Sequence, residues 1–381
     1  MALKGVNLGS WLMMEGYILG GRNIAESVFK QNFKKINGSA ALCEFKQLFR
    51  DNFIAEKDFE NIAQMGANCI RLPFNYRLIT KEYPPNGLKY LQRAFAWAHK
   101  YNLGIILDLH AAPGAQNCDW HSDSTGKAMF WEKEKFRKET LNIWDELVSR
   151  FKDEPALIGF DVINEPVLGE KPTDILAKFY REAIKRIRTI DKKHTIFLEG
   201  SLWAQRVDFL KDLIEENVSI SIHTYQPLDF TFNFVPFCKF PGEINNEFWN
   251  KDKIRKYLEP YFLFSENNKV PIFVGEFGMN WRGGFWGELN WLTNILETFE
   301  EFGFDYTYWT YKAISNHVFP DGLYQYIPNS KYVTREGPVC GWENYITNFR
   351  KEKNEITQFW QTKNFTRNSA VISKLEEFFK K

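Results

Sequence analysis

Apolar residues fall along this chain in short continuous runs, separated by longer stretches in which they recur every three or four positions. The runs cover residues 3–8, 68–72, 104–109, 158–163, 194–198, 218–222, 271–274 and 304–309, and the periodic stretches cover 56–65, 88–101, 133–151, 173–190, 251–266 and 288–302. Strands buried on both faces have no need to alternate apolar with polar residues, so continuous runs between amphipathic stretches predict a parallel sheet covered by helices. Eight such units predict an α/β fold of the closed (β/α)8 TIM-barrel type rather than an open doubly wound sheet. No glycine-rich phosphate loop favours a nucleotide fold. Residues 368–381 predict one further helix on the outer ring. The expected organisation is a single catalytic barrel domain over residues 1–381 with a C-terminal helical extension.

Three connections, 9–55, 223–250 and 310–341, are far longer than the usual few residues. Each follows a strand, which puts all three on the face where such barrels keep their reacting groups. Long loops there predict the walls of a substrate cleft. No internal repeat, biased tract or flexible linker marks a separate binding module.

Charge narrows the partners. A formal net charge of +1, with both signs dispersed over 381 residues, supplies no basic footprint for nucleic acid and no polybasic membrane patch. A neutral substrate and a monomer are the expectation. The chain is rich in aromatic residues, with 35 Phe, 16 Tyr and 13 Trp. Most Phe belong in a core, and the surplus rings suit sugar faces. Five cysteines without short metal-type spacing predict neither a disulfide framework nor a zinc site, and no cofactor is expected. The N-terminus shows no export signal, so the chain as written reads as cytoplasmic or as having lost one. No run of 18 apolar residues exists to span a membrane.

The strand ends carry the chemistry. Glu165, in GFDVINEP, and Glu276, in VPIFVGEFG, each close an apolar run, and a pair of carboxylates is what glycoside hydrolysis requires. The other runs deliver Asn7 and Glu15, Arg71, His110, Glu199, His223 with Tyr225, and Trp309. Convergence of nearly every strand end on polar or aromatic side chains points to a ligand site, where a lone His or Arg would more often be a structural partner.

RLPFNY at Arg71, DLHAAPGAQN at His110, INEP at Glu165, HTYQP at His223, VGEFG at Glu276 and YWTYK at Trp309 together resemble glycoside hydrolase family 5, in that family's order. The likeness runs from about residue 3 to 312, and the openings KGVNLGSWL and DLHAAPGAQN are most similar to its exo-1,3-β-glucanase and bacterial β-glucanase branches. The resemblance implies that Glu165 is the general acid and base and Glu276 the nucleophile of a retaining mechanism, with carboxyl groups about 5 to 5.5 Å apart. It implies Arg71 and Tyr225 beside Glu276, and a Glu165 kept protonated by burial and by the neighbouring anion. Asn164 would bond the sugar 2-hydroxyl, His110 and His223 would orient substrate and acid, and Trp309 would be the platform beneath the sugar.

Glu15 matches a residue that contacts the non-reducing sugar in the exo-acting branch. Trp120, Trp131 and Trp203 are candidate sugar platforms on loops, with His121, Asp123, Trp281 and Trp286 nearby. Glu199 reads as a supporting or subsite group, and His317 takes no role. The loop after HTYQP, carrying Phe230, Phe232, Phe234 and Phe237, departs from the exo enzymes. The expected substrate is therefore a β-1,4- or mixed-linkage β-1,3-1,4-glucan cut internally. Exo-action on β-1,3-glucan is the alternative, and a catalytically silent sugar-binding barrel or an inverting hydrolase are more distant ones.

Overall fold

The computed structural model describes residues 2–80, 87–314, 318–326 and 341–381; His317, Cys340 and much of the connection 310–341 lie outside the described residues. Eight parallel strands close into a barrel: β1 (Lys4–Asn7), β2 (Cys69–Asn75), β3 (Gly104–Ala111), β4 (Leu157–Asp161), β5 (Thr195–Glu199), β6 (Val218–His223), β7 (Ile272–Phe277) and β8 (Asp305–Tyr308). Each strand pairs with its sequence neighbours, and β8 pairs with β1. The eight apolar runs are these strands, shifted by a few residues at their ends.

Side chains two apart along a strand point the same way, and this stacks the interior into layers. Ile106, Phe197 and Phe273 form a small buried apolar cluster inside the barrel. Two positions further along two of these strands stand Asp108 and Glu199, both buried. The barrel interior therefore turns from apolar to charged toward the strand C-termini, and that change of character sets the floor of the site.

The periodic stretches form the expected outer helices, among them α2 (Glu56–Gln64), α3 (Leu88–Lys100), α4 (Glu134–Phe151), α5 (Asp174–Ile190), α6 (Lys251–Asn268), α7 (Glu288–Phe302) and, at the end of the chain, α9 (Ser369–Phe379). Two long helical segments were not expected. Within the connection 9–55 lies α1 (Glu26–Phe53), and beyond the barrel lies α8 (Asn344–Phe359). The connection 9–55 is thus largely a helix and not an open loop. Its period is broken at Gly38, where φ is +84° and the helical conformation is interrupted, so neither half alone shows a long repeat. In α8 the run of charged residues 350–355 separates Phe349 from Ile356 and hides the stripe.

These two helices take up much of the aromatic surplus. Phe33 and Phe45 pack on Phe349 with ring centroids 5.3 and 5.5 Å apart, and Phe45 and Phe49 meet the edge of Trp360. Lys312, buried just past the end of β8, donates to the carbonyls of Phe53 and Trp360 and to Thr362 Oγ1, with the rings of Phe53 and Phe365 each 4.5 Å from its ammonium. Among the described residues, no helix is long and apolar enough to cross a membrane.

Candidate active site

A cavity of about 390 Å³ opens at the C-terminal ends of the strands, with Glu165 and Glu276 in its wall. Each glutamate arrives by a local feature of the backbone. Glu276 lies within β7, where a register shift between Ile222 and His223 sets His223 directly across from it. Gly275 makes this possible, because a Cβ there would stand 2.9 Å from His223 Nε2. Glu165 leaves β4 in a tight turn with φ +46°, in the left-handed region, and its backbone N–H donates to Glu199 Oε2 at 2.6 Å. Oxygen atoms of Glu165 and Glu276 and a ring nitrogen of His223 all lie within 4.8 Å of one another.

The surroundings of the two acids differ. Glu276 accepts from Arg71 Nη1 and from the Tyr225 hydroxyl, each at 2.8 Å, so a cation and a neutral donor face its two oxygens. That environment stabilises an anion. Glu165 instead contacts two imidazoles, His223 Nδ1 at 2.8 Å and His121 Nε2 at 3.1 Å. Burial pushes the Glu165 carboxyl up, but the bonds from His121 and His223 outweigh it and hold the group well below the usual carboxylate range. Burial would lower both imidazoles, yet the acids around them win: His121 is driven up to about 9 by Glu165, and His223 well above its ordinary value by Glu199, Glu276 and Glu165. The expectation that burial and the neighbouring anion keep the proton on Glu165 is therefore corrected. In the unliganded site the proton rests on an imidazole nitrogen one hydrogen bond away.

Beneath the floor, Arg71 is fully buried among four carboxylates: Asp108 at 3.1 Å, Asp161 at 2.9 Å, Glu199 at 3.0 Å and Glu276 at 2.8 Å. Its Nη2 also donates to Asn164 Oδ1 at 2.8 Å. Oxygens of Asp108, Asp161 and Glu199 gather within 4.8 Å of one another, and the guanidinium supplies the positive charge they need. Asp161, pushed well above the usual range by burial and by Glu199, carries a proton in this cluster. Arg71 thus touches no ligand; it lies under the cavity and orients Glu276. Asn164 is also fully buried under the floor, and its Nδ2 has no partner among the described residues.

The remaining expected residues divide. Glu15, His110, His223, Tyr225, Trp309, Trp120 and Trp203 all line the cavity. The Trp309 ring stacks on His110, with centroids 5.4 Å apart and planes 8° from parallel, and its Nε1 donates to the Tyr17 hydroxyl. His110 Nδ1 contacts Asp108 Oδ2 at 2.8 Å. Burial drives the Glu15 carboxyl up to about 7, and its Oε1 has no hydrogen-bond partner; His110 Nε2 is 3.9 Å away. Trp131 does not reach the cavity. It is buried, and its Nε1 donates to the carbonyl of Gln116, so its role as a sugar platform is withdrawn.

Sequence reasoning gave no role to Asp108, Asp161, Asn117, Tyr17 or Phe319. Two acids inside otherwise apolar strands were a readable signal, because a buried Arg71 requires partners. Asn117 Nδ2 bonds the Glu165 carbonyl at 2.9 Å and stands 3.0 Å from His121 Nε2, which fixes both sides of that contact. A second hollow of about 670 Å³ shares Gln205, Gln226 and Tyr257 with the first, so the site continues sideways across the barrel face.

Comparison with known proteins agrees with this geometry. The family described as Cellulase (glycosyl hydrolase family 5) matches residues 26–315. Endoglucanase C of Acetivibrio thermocellus is 29% identical over 305 residues, covering 71% of this chain and 87% of the relative. Probable glucan 1,3-beta-glucosidase A of Emericella nidulans is 30% identical over 233 residues, covering 59% of this chain and 57% of the relative. In fold, the endoglucanase Cel5A of Thermotoga maritima superposes with a TM-score of 0.62 at 20% identity, over 98% of this chain and 96% of that one.

Proposed function

We propose, from the premise that the chain belongs to glycoside hydrolase family 5, that it is a retaining β-glucanase working by double displacement. One observation carries the reading: oxygens of Glu165 and Glu276 approach within 4.8 Å. An inverting enzyme needs its carboxyl groups about 6.5 to 9.5 Å apart to seat a water between them, whereas covalent attack needs about 5 to 5.5 Å. Glu276, its oxygens held by Arg71 and Tyr225, attacks the anomeric carbon. Glu165 passes a proton, drawn from the His121 and His223 cluster, to the leaving oxygen. Water then enters, Glu165 takes its proton, and the bond between Glu276 and the sugar breaks. Asn164 Nδ2 is the free donor for the sugar 2-hydroxyl, and Trp309 is the face beneath the ring.

Internal cutting of a β-1,4- or mixed-linkage β-1,3-1,4-glucan is supported by the hollow that continues past Gln205, Gln226 and Tyr257, which gives room for sugars beyond the cut. A second reading, release of single glucose units from β-1,3-glucan, is favoured by Glu15, whose unpartnered oxygen offers a terminal hydroxyl an acceptor. Products followed in time on carboxymethyl cellulose, barley glucan and laminarin separate the two. A ladder of oligomers supports internal cutting, and glucose alone supports end-wise release. α-Configured first products would refute retention.

A further inference from the structure

Four consecutive residues of the loop after β6, Phe234, Val235, Pro236 and Phe237, are all exposed. Phe234 is 48%, Val235 46% and Phe237 76% exposed, and on the neighbouring loop after β7 Phe285 is 84% exposed. Side chains three-quarters exposed are protrusions, since rings lying in a flat patch would half cover one another. Soluble proteins seldom build such features without use.

The two tips are held together and next to the cavity. Arg282 Nη1 donates to Asn233 Oδ1 at 3.2 Å and to the Cys238 carbonyl at 3.5 Å, and Phe240 N donates to the Trp286 carbonyl at 2.8 Å. Phe237 packs against Trp286 with ring centroids 5.5 Å apart, and Lys239 Nζ sits 5.6 Å from the same indole. Phe234 lines the cavity mouth and meets Phe319 at 5.8 Å. Apolar tips with a cation at their base thus stand at the entrance to the site.

We propose that these tips dock the cavity mouth onto a lipid surface, and that the β-glucosyl headgroup of a membrane lipid is a second substrate. The proposal rests on the glycosidase reading above and adds a substrate class to it. A sugar platform pairs a flat ring with hydrogen-bond donors; Val235, Pro236 and Phe237 offer neither. A stable protein partner needs about 800 Å² of complementary surface on each side, more than two loop tips provide. Protruding Phe side chains above a lysine match insertion at the boundary between headgroups and acyl chains. Net charge, which argues against a membrane partner, does not report this apolar route. The reaction is the hydrolysis already described: water adds across the bond between the anomeric carbon and the lipid oxygen, with no redox partner.

The test compares the wild type with the triple variant Val235→Ser, Phe237→Ser, Phe285→Ser, none of whose positions lines the cavity. Vesicles of phosphatidylcholine and phosphatidylglycerol, with and without β-glucosyl diacylglycerol, are sedimented with each protein. Release of glucose is measured from the embedded lipid and from soluble p-nitrophenyl β-glucoside. Expected is sedimentation of the wild type, a loss of about a hundredfold in vesicle affinity for the variant if each of two Phe contributes about tenfold, a parallel loss on embedded lipid, and unchanged hydrolysis of the soluble glucoside. A wild type that stays in the supernatant, even one that self-associates through the tips, or a variant that sediments equally, overturns the docking. Vesicle binding with hydrolysis of the soluble glucoside alone overturns the lipid substrate. Inactivity on both glucosides strikes the glycosidase reading, and the lipid substrate falls with it.

Discussion

Glu199 is where the charge economy of the site can be tested most directly. Its buried carboxylate faces Arg71 Nη2 at 3.0 Å, the Glu165 N–H at 2.6 Å and His223 Nε2 at 3.4 Å. Glu199→Gln keeps the volume and an accepting oxygen but removes the charge. At 3.4 Å and an effective dielectric of about 20, that charge is worth about 5 kcal/mol to a protonated His223. Arg71 draws on the same carboxylate, so a realised loss of about a third of that corresponds to roughly one pKa unit. Removing a negative charge lowers the proton affinity of every group near it. The proton that Glu165 delivers is held by the cluster as a whole, so its macroscopic pKa falls. The alkaline limb of kcat/KM against pH, which reports that proton, is expected to move about one unit toward acid, with kcat falling about tenfold. The assay is a pH profile on a soluble aryl β-glucoside, with melting curves to confirm folding. A reduced rate with an unmoved alkaline limb, or one displaced toward higher pH, would refute the reasoning and leave Glu199 as a structural brace.

Four further outcomes follow from the same geometry. Glu276→Ala should lower kcat by at least about 10⁴-fold on barley glucan, on the scale of lost nucleophiles; unchanged activity would sink the assignment and favour a sugar-binding barrel. Arg71→Met leaves four acids without their cation and should cost about 3–5 kcal/mol in denaturant unfolding. Glu15 is held at about 7 when folded against an ordinary 4.5, so between those values the folded state keeps a proton that the unfolded chain has lost. Its contribution to stability therefore falls as pH rises through that window, by up to about 3 kcal/mol, and Glu15→Gln should raise Tm at neutral pH while weakening binding of a terminal sugar. Trp131→Phe orphans the Gln116 carbonyl and should cost about 1–3 kcal/mol of stability with KM unchanged; a raised KM would restore Trp131 to the site.

The barrel was legible because parallel strands, buried on both faces, write themselves as unbroken apolar runs. Glu165, Glu276, His223, Tyr225 and Trp309 were legible because they sit at the ends of those runs. What stayed hidden lay where local pattern and tertiary context disagree. Gly38 splits α1 so that neither half shows its stripe at length, and Asp108 and Asp161 vanish inside runs read as purely apolar. Trp131 and Trp120 look alike as loop tryptophans; only packing decides that one hydrogen-bonds Gln116 while the other lines the cavity. The protonation of Glu165 was misjudged for a similar reason. Burial and Glu276 were counted, but His121 reaches Glu165 from a loop whose course no periodicity reveals.

Lys312 joins parts of the chain that are distant in sequence at one nitrogen atom: the end of α1 through Phe53, the end of α8 through Trp360, and the stretch carrying Trp309 three residues before it. The wall of the cavity is in this way fastened to helices that contribute no side chain to it. Trimming the chain after β8 to obtain a minimal barrel would cut that fastening, and the first sign of damage would be a loosened Trp309. Activity and the melting of the outermost helices should accordingly be lost at the same temperature.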